Sequence, residues 1–526
     1  MNDFSPSVSR TSTASSGALA AGGTPGALAW YARPAARGWT CSPAPVAARA
    51  FHAALSGYAP TRLVELPALA VELGVGRVFV KDESARLGLP AFKALGASWA
   101  LHRVLAERAD ATGEPNTAAG AGGSATTGAA ANGSGAANGS GVVDGAGAAG
   151  GAGAGRAAGE PVTFVTATDG NHGRAVARLA RLLGQRAHVF TSHGVHPAAV
   201  AAIAAEGARV TRVAGPYDQA VRAAAEAVTA GAPDAGTAGH ATAGVPETGA
   251  GTVAAAPDTR TGRSAAAGAV AGAPGAGTGA SGAGVGAGAG ASGADTGNGA
   301  GAEGGVVGVG VEAAAVLVQD SGWPGYERIP GWIVEGYATL FAEVDDQLAA
   351  AGGGGPDLVV VPVGVGSLAQ AAVTHYRAAP ATDAVTPGPG ARAGTAVLAV
   401  EPEAAACVLA SLRRRERVSI DTGETAMAGL NCGTPSSLAW PVLRDGLDAA
   451  VAVTEAQGAR AAGDLATLGV SAGPCGAASL AGVRAALTGA GAADRRAELG
   501  LGPASTVVLL NTEGTEANPH GPTSPH

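Results

Sequence analysis

Short, nearly uninterrupted apolar runs alternate along this chain with stretches whose apolar residues recur at helical spacing. "RVFVKDE" reads as a strand, and a helix follows it, beginning near Phe92 and running through "ALGASWALHRVLAER". "PVTFVTATDGNHG" is a strand ending in a polar loop, ahead of the helical "RAVARLARLLG". "RAHVFTS" and "ARVTRVAG" are strands on either side of the helical "HPAAVAAIAAEG". "DLVVVPVGVGSLAQAAVTHYRA" reads strand, glycine loop, helix, and "TAVLAVEP" and "STVVLLNTEG" are further buried strands. Strands that are apolar at nearly every position are covered on both faces. Their alternation with helices predicts an α/β fold of mostly parallel open sheets flanked by helices. Ligands of such sheets bind beyond the carboxyl ends of the strands, and "TDGNHG", "GVGS" and "NTEG" all sit there.

Composition changes this picture by removing parts of the chain from it. Of the 526 residues 86 are glycine, concentrated in two places. Residues 110–159 and 230–305 hold almost no large apolar side chains, so neither can bury enough surface to offset the entropy of ordering it. Both read as flexible Gly/Ala-rich insertions, and residues 1–45 as a flexible N-terminal tail. Roughly 350 residues remain, enough for one two-domain unit. The expected division is a large domain from 46–95 and 306–515, a small domain from 96–229, and a C-terminal tail from 516–526.

Charge and cysteine content narrow the function classes. A net charge of −8 without a basic block argues against a nucleic-acid partner. No apolar run is long enough to span a bilayer, and the N-terminus lacks a basic region followed by an apolar stretch, so a cytoplasmic protein is expected. Cys41, Cys407, Cys432 and Cys475 show no CxxC spacing and define no metal site, although Cys407 and Cys432 could pair.

Candidate chemistry starts from Lys93, one of few lysines in an arginine-dominated chain, set in the apolar "AFKALG". On this segment alone it fits first a helix lysine reaching solvent, and otherwise an amine kept for chemistry. In "PVGVGSLAQAAV", Gly364 and Gly366 lie between a strand and a helix, where backbone N–H groups and the helix N-terminus suit a phosphate. The same residues suit an ordinary tight turn, and neither a P-loop nor a full dinucleotide fingerprint is present. In "TATDGNHGRAVA", Asp169 is a helix cap or an acid–base group, Asn171 a turn residue or a partner for a ring oxygen, and His172 a structural histidine. A desolvated lysine of lowered pKa, a phosphate loop and an asparagine together form the kit for a Schiff base with pyridoxal phosphate.

At this point the chain resembles the fold-type II pyridoxal phosphate enzymes, and within them the diaminopropionate ammonia-lyase family. The resemblance rests on "KDES…LG…AFK…LG", "TATDGNHGR", the run "QDSGWPGYERIPGWIVEGY", "VPVGVGSLA", "MAGLNCGTP" and "NTEGT", in matching order and spacing outside the insertions. It implies two domains with the cofactor in the cleft between them, and a homodimer. It also implies that Lys93 carries the internal aldimine and that Asn171 meets the ring oxygen. Gly364, Val365, Gly366 and Ser367 cradle the phosphate, and the Thr512 hydroxyl faces the pyridine nitrogen. The implied reaction is α,β-elimination of 2,3-diaminopropionate through an external aldimine and aminoacrylate to pyruvate and two ammonia. Lys93 is then the base for the L isomer and Asp169 for the D isomer.

The chain departs from the family pattern at Pro474 and Cys475, where an acid and a serine are usual, at Asn511 in place of serine, and at Pro90 in place of asparagine. These departures put the substrate in question. A serine or threonine dehydratase or β-replacement enzyme of the same fold is the alternative. A non-catalytic metabolite-binding relative is the alternative from another class.

Overall fold

The computed structural model describes residues 28–112, 161–168, 170–215, 217–230, 315–379 and 394–517. These fall in one compact unit, Met1–Pro233 with Glu312–His526. The expected insertions, beyond Thr112 and Ala230, lie outside the described residues, as does the chain after Ala517.

Two sheets form. Their strands, in chain order, are β1 (Trp30–Ala32), β2 (Leu63–Glu65), β3 (Arg77–Asp82), β4 (Thr163–Thr168), β5 (Arg186–Ser192), β6 (Arg209–Val213), β7 (Ala315–Leu317), β8 (Leu358–Pro362), β9 (Ala396–Pro402), β10 (Ala449–Val453) and β11 (Thr506–Asn511). The larger sheet has the order β1-β10-β9-β8-β11-β3-β2 and the smaller β6-β5-β4-β7. Every pairing is parallel except those of β1 with β10 and β2 with β3. The two antiparallel strands are the edges of the larger sheet and only three residues long, which limits the unpaired backbone they expose. Central strands such as β8 are buried at every position, as continuous apolar runs require.

Three features differ from the sequence reading. β1 pairs with β10 from within the expected tail 1–45, so ordered chain starts earlier. β10, "AAVAV", is too rich in alanine to announce itself as a strand, and burial in the sheet interior decides it. β7 falls in the stretch assigned to the larger domain yet pairs with β4 of the smaller sheet, Thr163 opposite Ala315. Among the described residues no helix is long and apolar enough to cross a membrane.

The helix Lys93–Thr112 packs on the helix Arg328–Ala350 at a crossing made of glycine. A Cβ on Gly336 would lie 2.6 Å from the Leu95 carbonyl oxygen, and one on Gly96 would lie 2.8 Å from that of Ile333. Backbone cannot yield to a methyl group at such distances, so glycine is required on both sides. The close approach seats Tyr337 on Phe92, ring centroids 4.8 Å apart, one residue before Lys93. His52, fully buried, ties a third helix, Ala47–Ala54, to the same junction. Its Nδ1 meets Thr339 Oγ1 at 2.8 Å, and its Nε2 meets the Leu95 carbonyl at 3.0 Å and Ser98 Oγ at 3.1 Å.

Gly336→Ala is therefore expected to lower unfolding stability by about 1–3 kcal/mol, the usual cost of overpacking. Gly331→Ala in the same helix, with its nearest neighbour Leu438 Cδ2 at 3.8 Å, is expected to be neutral or stabilising. Denaturant midpoints of the two variants check this. The junction also carries a pH dependence. Burial, as the first cause, lowers the His52 pKa to about 4 from the ordinary 6.5. The unfolded chain then binds a proton there before the folded chain does. The contribution of His52 is full above pH 6.5 and is lost as pH falls toward 4. Unfolding followed across that window should show a smaller acid loss for His52→Gln than for the parent chain.

Candidate active site

Five strand ends converge on one cavity. The segment after β3 leads through residues 83–92 into Lys93, at the start of its helix. The segment after β4 supplies Gly170, Asn171 and His172, and that after β8 supplies the loop Val363–Gly366 and Ser367. The segment after β11 supplies Thr512 and Glu513, and the cavity is also lined by Asp320, three residues beyond β7. Backbone pairing fixes Lys93 against the β11 end. Phe92 N–H donates to the Thr512 carbonyl (3.2 Å), Gly514 N–H to that of Pro90 (2.9 Å), and Ala91 bridges Glu513. Pro90 thus serves as an acceptor, where its missing N–H is of no consequence. Asp169 lies outside the described residues, while Thr168 and Gly170 on either side of it line the cavity.

Lys93 does not stand alone in apolar surroundings. Its Nζ donates to Asp320 Oδ2 at 2.5 Å. Burial by itself lowers the pKa of this amine, but the Asp320 carboxylate outweighs it and holds the group above the ordinary lysine value. The sequence reading expected a lowered pKa, and this corrects it: desolvation was anticipated, a carboxylate partner was not. Asp320 responds in the opposite sense. Burial raises its pKa, yet the charge of Lys93 and its hydrogen bond bring it down to about 2. His172 Nε2 meets the Val318 carbonyl at 2.8 Å, which places the proton on Nε2. Nδ1 is then a bare acceptor, 3.9 Å from Asp320 Oδ2 and without a hydrogen-bond partner. Burial lowers the His172 pKa, so the ring is neutral, and it is a cavity wall as well as a structural histidine.

The glycine loop is built for an anion. Gly366, at φ 100°, turns the chain into the helix Ser367–Tyr376, whose N-terminus no side chain caps. Its first N–H groups have no partner within the helix and carry the positive end of its dipole. A Cβ on Gly364 would come within 2.9 Å of the Gly429 carbonyl and 3.0 Å of Cys432 Sγ, so the loop lies tight on the 429–432 turn. Val365 accepts from Ser436 N–H (2.8 Å), and Ser367 Oγ donates to the Asp320 carbonyl (3.0 Å). Cys407 and Cys432, which could have paired, form no disulfide with each other.

These residues fit pyridoxal phosphate. Thr512 Oγ1 is buried at the cavity wall with no hydrogen-bond partner, as expected of a hydroxyl awaiting a ring nitrogen. The uncapped helix N-terminus suits the phosphate and Lys93 supplies the amine. Asn171 Nδ2 donates to Glu513 Oε2 at 2.6 Å. Burial raises the Glu513 pKa, while hydrogen bonds from Cys475 and Asn171 oppose the rise. The cavity thus holds every described residue named from sequence, namely Lys93, Asn171, Gly364, Val365, Gly366, Ser367 and Thr512, along with Asp320, Tyr337 and Glu513, which sequence reasoning passed over. Asp320 lay within the quoted "QDSGW" run and Glu513 within "NTEG", but nothing local ties either to a site.

Comparison with known proteins agrees with this chemistry. Residues 304–513 match the family described as "Pyridoxal-phosphate dependent enzyme". The chain is 27% identical over 399 residues to the diaminopropionate ammonia-lyase of Escherichia coli (strain K12), covering 76% of this chain and 69% of that protein. It is 31% identical over 209 residues to the L-threonine dehydratase biosynthetic IlvA of Mycobacterium tuberculosis (strain ATCC 25618 / H37Rv), covering 38% and 42%. The crystal structure of diaminopropionate ammonia lyase from Escherichia coli in complex with D-serine superposes with a TM-score of 0.60 at 24% identity, over 90% of this chain and 89% of that one. Lysine, glycine loop and strand-end hydroxyl are thus arranged around one cavity in a chain whose residues 304–513 match the pyridoxal-phosphate dependent enzymes and whose fold is that of the diaminopropionate ammonia lyase structure.

Proposed function

We propose that the chain eliminates ammonia from 2,3-diaminopropionate and releases pyruvate and a second ammonia. The carrying observation is the Lys93–Asp320 pair, in which an ammonium and an ionised carboxylate lie within proton-transfer distance of each other beside the glycine loop. The similarity to the diaminopropionate ammonia-lyase of Escherichia coli runs over most of the chain, whereas that to L-threonine dehydratase covers 38% of it. A small amino-acid substrate suffices for such a site. A homodimer and a cytoplasmic setting belong to the same proposal and are inherited from the family resemblance.

Lys93 would hold the cofactor's aldehyde carbon, Gly364, Val365, Gly366 and Ser367 its phosphate, Asn171 its ring oxygen, and Thr512 its ring nitrogen. When bound, pyridoxal phosphate supplies an electron-accepting ring that stabilises negative charge at the substrate Cα. The Lys93 amine takes the Cα proton on one face, serving the L isomer. Asp169, by its place in "TATDGNHGR", takes it on the other, serving the D isomer. Asp320, 2.5 Å from Nζ, keeps a counter-charge beside Lys93 whenever that amine carries a proton. The β-amine departs as neutral ammonia only if it leaves with a proton, so a protonated Lys93 near the leaving group is useful twice. Tyr337 and Phe92 cover the amine on the side of the helix crossing and exclude water there.

The purified protein with pyridoxal phosphate should form pyruvate from both D- and L-2,3-diaminopropionate, well above 2-oxo acid formation from serine or threonine. Product from serine or threonine alone would move the chain to the dehydratases. Among variants, Lys93→Ala should abolish turnover of both isomers. Asp169→Asn should reduce kcat/KM for the D isomer by about a hundredfold or more, as expected for loss of a general base, and leave the L isomer largely intact. Equal losses for the two isomers would sink the two-base assignment.

A further inference from the structure

We propose that Glu513 is a positioning residue that fixes the amide of Asn171, holding one of its N–H groups ready for the ring oxygen of the cofactor. This rests on the placement of that oxygen at Asn171 proposed above. Glu513 is 2% exposed and both of its carboxyl oxygens accept N–H bonds. Oε2 takes one from Asn171 Nδ2 at 2.6 Å, and Oε1 takes one from the Cys475 backbone at 3.1 Å. With Oε1 accepting from the Cys475 N–H and Oε2 from Asn171 Nδ2, the amide turns its nitrogen toward Glu513. An asparagine amide has two N–H bonds. One is spent on Glu513, and the plane of the amide then sets the direction of the other.

The surroundings of Glu513 are shaped to hold it. Gly473 N–H donates to the Glu513 carbonyl at 2.9 Å. A Cβ on Gly473 would lie 3.0 Å from both Cγ and Oε1 of Glu513, and one on Gly476 would lie 2.8 Å from the Glu513 carbonyl oxygen. Pro474 opens the helix Pro474–Leu487 and has no N–H, which makes Cys475 the first backbone donor of that helix. The carboxylate therefore caps a helix N-terminus with one oxygen and steers Asn171 with the other. These are the positions at which the sequence departs from its family, and the turn there closes around Glu513. Glu513 also bridges Ala91 through its backbone, two residues from Lys93, so the amide is fixed relative to the amine that holds the cofactor.

The test is the absorption band and cofactor affinity of the pyridoxal phosphate holoenzyme. Lys93, Asp320, His172 and Tyr337 face the cavity unchanged in every variant. Glu513→Leu is expected to shift the visible band and to weaken cofactor binding about tenfold, the scale of one charge-assisted hydrogen bond. Glu513→Gln, whose one amide oxygen can accept from Nδ2 at the expense of the bond from the Cys475 N–H, should retain the parent band. In an Asn171→Ala background, Glu513→Leu should add no further shift, because the path runs through the amide. If Glu513→Leu does not fold, Glu513→Asp, too short to reach Nδ2, serves the same comparison. Additive shifts in the double variant, or an unshifted Glu513→Leu beside a shifted Asn171→Ala, overturn this inference alone. An Asn171→Ala holoenzyme with the parent band overturns the placement of the ring oxygen and the inference with it.

Discussion

A part-buried ion pair at the cavity wall joins the two sheets of this structure. Lys93 follows a strand of the seven-stranded sheet and Asp320 follows a strand of the four-stranded one, and their side chains meet at 2.5 Å. Removing either partner of such a pair leaves an uncompensated charge in a partly solvated site. The ends of the two sheets are therefore held to one geometry. Another strand end keys to the same acid: Ser367 Oγ, beyond β8, donates to the Asp320 carbonyl.

The chain's other lysine shows what a purely structural role looks like. Lys81 Nζ donates to Glu343 Oε2 at 2.6 Å, Thr61 O at 2.8 Å and Gln347 Oε1 at 2.9 Å, which uses all three of its protons. Arg86 completes the cluster, donating to Glu343 at 2.7 Å and to Glu83 at 2.6 Å. Every charge is buried and paired, so nothing in the cluster is available for exchange. The cluster joins β3 and the start of the Lys93 segment to the helix Arg328–Ala350, which also carries Gly336 and Tyr337. Lys93, by contrast, has one hydrogen-bond partner among the described residues and two protons to spare. One lysine is saturated and anchors the framework, while the other can trade its partner for a ligand.

Sequence made much of this legible because the informative features are local. Continuous apolar strands, the glycine turn after β8 and a lysine in apolar company all lie within a dozen residues. What escaped was long-range. Asp320 meets Lys93 across 227 positions of sequence and Glu513 meets Asn171 across 342, so no local pattern encodes either contact. The misjudged direction of the Lys93 pKa has the same origin, since burial can be read from neighbours in sequence but a partner cannot. β10 escaped for a different reason: alanine carries little strand preference, and its place in the sheet interior decides the matter. The asparagine at 511 acquires a physical account only in three dimensions, where its Nδ2 bridges Asp82 Oδ1 at 3.0 Å and the Ser471 carbonyl at 2.8 Å.

The charge balance of the cavity bears on the choice of leaving group. Asp320 and Glu513 line the described cavity against a single lysine, and Asp320 stays ionised because Lys93 depresses its pKa to about 2. An ammonium entering such a cavity sheds water and needs a carboxylate to replace it, whereas a hydroxyl needs only one hydrogen-bond donor or acceptor. A dehydratase gains nothing from a carboxylate beside its hydroxyl leaving group, because hydroxide departure is assisted by donors. A diamino substrate brings a second basic nitrogen that an acidic wall can hold until it leaves. Loss of the usual acid at Pro474 therefore need not turn the site toward hydroxy amino acids. The turn that contains Pro474 grips another acid, Glu513, and keeps its carboxyl group at the cavity wall.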